Sequence, residues 1–114
     1  MGNYFLGSAG SGANNSLALG YFSDSAIIHA QGSNSYSSGI SGYLSSKDKP
    51  RVFAFMSGAT GKKTYINGVL ASESADATKL TDLTNLSIGQ NYIGEIGEIV
   101  IFTRNLEADE RIAI

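Results

Sequence analysis

Cysteine and tryptophan are both missing from the 114 residues, and proline occurs once, at Pro50. Without thiols there can be neither disulfides nor thiolate metal sites, so stability has to come from packing. There is no excess of positive charge: eight Lys and Arg against ten Asp and Glu leave a net charge of −2 and a pI near 5.2. Electrostatic binding of nucleic acid or of an anionic membrane needs clustered basic residues. The only adjacent basic pair is Lys62-Lys63, which flanks a predicted hairpin and reads as part of a solvated turn. No apolar run approaches the ~18 residues of a membrane-spanning helix. The chain opens Met1-Gly2-Asn3 and passes straight into Tyr4-Phe5-Leu6, with no basic region or signal-peptide core.

What is present is unevenly placed. Among the first 46 residues the only formal charge is Asp24, while Ser and Gly fill 20 of those positions. Such a stretch reads as short strands separated by turns. The length suits one domain, residues 1–114, with a core of its own.

Along the chain, Tyr4-Phe5-Leu6 is a first strand, ended by a loop of small and polar residues from Gly7 to Asn15. Ser16 to Ser23 alternates, with Leu17, Leu19 and Tyr21 on one face. A tight turn at Asp24-Ser25 predicts that Ala26 to Ala30 runs back beside it. Gln31 to Ser46 is polar and uncharged, and is expected to be a loop with a short edge strand at Gly42 to Ser45. Lys47 to Pro50 is an exposed turn. Arg51 to Ser57 has apolar residues on both faces and is predicted to be a central strand. Asn67-Gly68 is the strongest hairpin signal, joining a strand over Lys62 to Asn67 to one at Val69-Leu70-Ala71. After a polar connection from Ser72 to Asp82, Leu83 to Gly89 is another strand. Gly97 to Thr103 is β-branched or aromatic after its opening Gly97-Glu98, and is predicted to be a second central strand. Glu98, the one charge in that run, would have to reach solvent or a hydrogen-bonding partner. Glu107 to Arg111 places acids in the first turn of a short closing helix. Strands at this spacing predict an all-β fold, a two-sheet antiparallel β-sandwich of roughly eight strands.

Three stretches, in order, resemble one family. Tyr65-Ile66-Asn67-Gly68-Val69, then Leu86-Ser87-Ile88-Gly89-Gln90, then Gly94-Glu95-Ile96-Gly97-Glu98-Ile99-Val100-Ile101-Phe102 with Arg104-Asn105-Leu106 and Glu110-Arg111 look like the hairpin, following strand and closing motif of laminin-G-like, concanavalin A-like jelly-roll domains of bacterial and phage proteins. The resemblance implies a jelly-roll sandwich and, as ligand, a neutral carbohydrate bound without catalysis. It also implies an extracellular or virion-associated setting. Some of these domains hold calcium at a loop rim, which would fall to Asp24 and Asp82 here, although the acids are too sparse for a carboxylate cluster.

Catalytic chemistry finds little purchase. Glu95 and Glu98 could suggest a glycosidase pair, but residues three apart on a strand point to opposite faces. His29 is the sole histidine, and its neighbours on its own strand face, Ile27 and Gln31, would not orient it as a base. No serine sits in a Gly-x-Ser-x-Gly elbow, and no glycine run leads into a helix as a phosphate loop must. Binding remains. Tyr36, Tyr43 and Tyr92 with Asn34 and Asn91 lie in uncharged loop or edge segments, where aromatic faces stack on sugar C–H surfaces and amides supply hydrogen bonds. The rival expectation is a structural or assembly module, part of a phage particle or a cell-surface adhesin, that associates with its own copies through sheet edges. The nearly chargeless first 46 residues and the lack of counterparts for that family's several N-terminal strands favour it.

Overall fold

The computed structural model describes residues 3–8, 16–23, 26–31, 34–39, 50–77, 86–89 and 92–113. Among them are eight strands in two antiparallel sheets and one five-residue helix. The first sheet holds β1 (Asn3–Ser8), β2 (Leu17–Ser23), β3 (Ala26–Gln31), β4 (Asn34–Gly39) and β8 (Leu86–Ile88), in the order β4-β3-β2-β1-β8. The second is the meander β5 (Phe53–Gly58), β6 (Gly61–Ile66) and β7 (Val69–Ser74). Helix α1 (Ala108–Ile112) follows.

Local sequence explains the meanders. The β2–β3 hairpin pairs Leu19 with His29 and Tyr21 with Ile27, so the alternation read in the sequence becomes a shared inner face. Asn67 and Gly68 both adopt positive φ, 51° and 81°, as the tightest hairpin turn requires. The Asn67 carboxamide oxygen also accepts the Val52 N–H at 2.9 Å, tying the turn to the approach to β5. Gly61 sits at φ 118°, and a Cβ there would run into the Ser74 carbonyl oxygen; only glycine lets β6 start so close to the end of β7.

The sheets pack face to face. At one end of the interior lie Phe5, Tyr21, Phe53 and Phe55, with Phe5 and Phe53 ring centres 5.0 Å apart and Tyr21 edge-on to Phe53 at 5.6 Å. β3 is enclosed on both faces, buried from Ile27 to Ala30.

The central-strand expectations need correction. Arg51 to Ser57 is not a central strand, although Phe53 and Phe55 face the other sheet: β5 begins at Phe53 and pairs with β6 at the margin of the three-stranded sheet, and Val52 stands exposed. Gly97 to Thr103 forms no strand at all. Gly89, at φ 73°, ends β8 and turns the chain, and residues beyond Arg104 are held on the outer side of the second sheet. There Asn105 lies against Gly58, and the Arg111 guanidinium sits 4.3 Å from the Tyr65 ring centre. The polar run after Gln31 is not a loop at its start: Asn34–Gly39 is β4, in full register with β3, and the expected edge strand at 42–45 lies outside the described residues. The closing helix is present. Glu110 reaches back to accept the Glu107 N–H at 2.8 Å and takes Arg104 in a two-pronged ion pair at 2.7 and 2.8 Å.

Candidate functional site

Two features depart from an ordinary apolar sandwich: a polar cluster between the sheets, and an apolar segment left outside them.

The cluster starts from strand alternation. His29 and Gln31 of β3 face the second sheet, where β5 and β6 present Phe55, Ser57, Lys62 and Thr64. Ser57 donates to the Gln31 side-chain oxygen at 2.6 Å. The His29 ring lies edge-on to Phe55, and its Nδ1 is 3.5 Å from the Thr64 hydroxyl, the outer limit of a hydrogen bond. Burial, and then the Lys62 charge, lower the His29 pKa to about 4, so the imidazole is neutral at physiological pH. Lys62 is only 1 % exposed, and its Nζ donates to the Asp76 carboxylate at 2.8 Å and to the Asp76 carbonyl at 2.9 Å. The Ser72 hydroxyl, opposite Thr64 on β7, is buried with no hydrogen-bond partner among the described residues.

This arrangement joins the sheets; it does not present a reagent. A hydroxyl activated by a histidine needs an approach of about 2.6–3.2 Å and a route for substrate, whereas Thr64 is fully buried and 3.5 Å away. The reading of Lys62-Lys63 as a solvated turn is corrected: Lys63 is exposed, but Lys62 is interior. The one clue in the sequence was parity, since Lys62, Thr64 and Ile66 share a face of a strand.

The residues expected to bind sugar are dispersed. Asn34 and Tyr36 stand two residues apart on β4, at one margin of the five-stranded sheet, paired with Gln31 and His29. Tyr92 lies beyond β8, at the other margin. There it is half-buried, edge-on to Phe5 at 5.1 Å, with its N–H donating to the Gly89 carbonyl. Burial, with Tyr21 nearby, raises its pKa. Tyr43, Asn91, Asp24 and Asp82 lie outside the described residues. Glu95 and Glu98 are exposed and on no strand, so the parity argument against them does not apply; neither makes a hydrogen bond or ion pair among the described residues. Among those residues no three His, Cys, Asp or Glu side chains are grouped to hold a metal ion. No helix there is long and apolar enough to cross a membrane.

The second feature is the stretch from Tyr92 to Thr103. It is tethered at both ends: the Ile96 δ-methyl packs by Gly89, and Asn105 by Gly58. From Ile93 onward every apolar side chain of the stretch faces water except Ile99, which is half-buried. Ile93 is 91 % exposed, Ile101 65 %, Val100 52 % and Phe102 49 %. Leu86 and Ile88 of the neighbouring margin strand β8 are exposed as well. Scattered exposed apolar residues are normal, but a contiguous set marks an interaction surface. A strand-forming run with no ladder partner also offers free backbone N–H and C=O groups to another strand.

No family model, curated protein or solved structure matches this chain.

Proposed function

We propose that this chain is a non-enzymatic structural or assembly module, whose partner is a further copy of itself. The observation that carries the reading is the exposed, strand-prone run from Ile93 to Phe102, outside either sheet. Leaving it in water forgoes roughly 25 cal/mol for each Å² of apolar surface, and covering it by association recovers that. The finer assignment, a jelly roll of the concanavalin A-like and laminin-G-like kind, draws support from the Asn67-Gly68 hairpin and from the strand that ends Ile88-Gly89, both of which the resemblance implies. The closing strand of that family would then be completed between chains. A setting on a phage particle or cell surface accords with it.

Sedimentation velocity over a wide concentration range tests the assembly reading. A concentration-dependent oligomer is expected, and a strict monomer throughout refutes it. Neutral-carbohydrate binding is the second reading, favoured by Asn34 and Tyr36 on the margin strand β4. It predicts retention on a glycan array that Tyr36→Ala abolishes; no signal on any neutral glycan removes it.

A further inference from the structure

Three features were strong enough to carry more: the Lys62–Asp76 pair with the Ser72 hydroxyl beside it, the open margin of β8, and the unpaired run 97–103. The first ties β6 to the end of β7 within one sheet, and the second is three residues long. The third specifies its own partner.

Resting on the assembly reading above, we infer that residues 98–104 of two copies pair as antiparallel strands about a two-fold axis through Ile101, completing between subunits a strand that neither forms alone. A self-pairing antiparallel strand centred on Ile101 sets Glu98 opposite Arg104 of the second copy, Ile99 opposite its Thr103, Val100 opposite its Phe102, and Ile101 opposite itself. Every cross-strand pair is then favourable in kind: two ion pairs at the ends, two pairs of β-branched Ile and Thr, two aliphatic–aromatic pairs, and an aliphatic contact on the axis. Centring on Val100 instead puts Glu98 against Phe102, and an in-register parallel pairing puts the two Glu98 carboxylates side by side. Both registers are disfavoured by the only acid in the run.

The groups are available. Glu98 is exposed and makes no ion pair among the described residues. Arg104, with its side chain 63 % exposed, uses part of its guanidinium on Glu110 and the Asn105 carbonyl, and five N–H donors leave capacity for a second carboxylate. The tethers at Gly89 and Gly58 hold the two ends of the run, and between them Ile99 is half-buried while Val100, Ile101 and Phe102 are exposed. An isologous contact of this type closes as a dimer and does not propagate.

Because the chain has no cysteine, single-cysteine variants of the full chain read the register directly. In an antiparallel pair only the residue on the axis meets itself within the roughly 4.4–6.8 Å Cα separation that a disulfide tolerates. Under glutathione redox buffer, Ile101→Cys is expected to give a covalent dimer at least tenfold faster than Ile99→Cys or Val100→Cys. Glu98→Arg alone is expected to weaken the dimer about tenfold or more in sedimentation, and Glu98→Arg with Arg104→Glu to restore it. Glu110→Gln, which removes the intrachain partner of Arg104, should leave it intact. Glu98, Val100, Ile101 and Arg104 are exposed and Ile99 and Glu110 half-buried, so thermal melting of each variant verifies that it is folded. A monomer at every concentration overturns both the assembly reading and this inference. An oligomer in which Ile99, Val100 and Ile101 variants crosslink equally, or in which the charge swap fails to restore association, overturns the register and leaves the assembly reading standing.

Discussion

Acid should loosen the seam between the two sheets over a defined pH window, because the only histidine is buried in it. Folding holds the His29 pKa down at about 4, from an ordinary 6.5, through burial first and the Lys62 charge second. Unfolding restores the ordinary value. Above pH 6.5 the imidazole is neutral in both states and the folded form keeps its full stability. Between 6.5 and about 4 the unfolded chain takes up a proton that the folded chain refuses, so stability falls as the pH falls. Below about 4 both states are protonated and this contribution stops growing. A span of about 2.5 pH units at about 1.36 kcal/mol per unit amounts to about 3 kcal/mol, a substantial part of the 5–15 kcal/mol typical of a domain. Glu110, lowered to about 2 by the Arg104 hydrogen bond, acts only below its ordinary 4.5, so the windows hardly overlap. Urea unfolding at several values between about pH 7.5 and 4.5 measures the slope. In His29→Gln the slope across this window should vanish, even if the variant starts out less stable. A flat wild-type profile, or a slope that survives the substitution, would refute the reasoning.

Four further outcomes are expected. Lys62→Met removes the cation beside His29, so the single histidine resonance in an NMR titration should move to a higher midpoint while remaining below 6.5, because burial, the larger cause, persists. The same variant should lose about 1–3 kcal/mol in urea unfolding, moderated because the Asp76 side chain, 31 % exposed, can be rehydrated. Gly61→Ala, at φ 118° and facing the Ser74 carbonyl, should cost about 3 kcal/mol or more by the same assay, whereas an unaltered midpoint would show that the β6–β7 approach is looser than described. Gly68→Val should cost about 1–2 kcal/mol through the positive φ alone, since a Cβ there meets nothing within 4 Å; thermal melting detects it.

The parts of the fold legible in the sequence were those written in local chemistry. Alternation from Leu17 to Tyr21 and the Asn67-Gly68 turn specify their hairpins without reference to the rest of the chain. β4 was illegible because Ser and Gly carry no alternating signal, and its pairing with β3 is a backbone affair. The interior position of Lys62 was equally hidden, since only the later arrival of Asp76 makes burying an ammonium tolerable. The run from Ile99 to Phe102 shows the opposite difficulty. Its composition states that it can be a strand, but pairing depends on which free edge comes within reach, and composition does not encode that. For the site, parity identified the strand face of His29 but not the Thr64 and Lys62 opposite it on another sheet.

The contact between Leu6 of β1 and Ile88 of β8 spans most of the polypeptide. Each meander can zip up from its own turns, while this one pairing must wait for a large loop to close. Refolding should therefore be limited by the return of three residues to the first strand, and a Ser87→Pro substitution, which deletes an amide there, should slow that kinetic phase and spare the earlier ones.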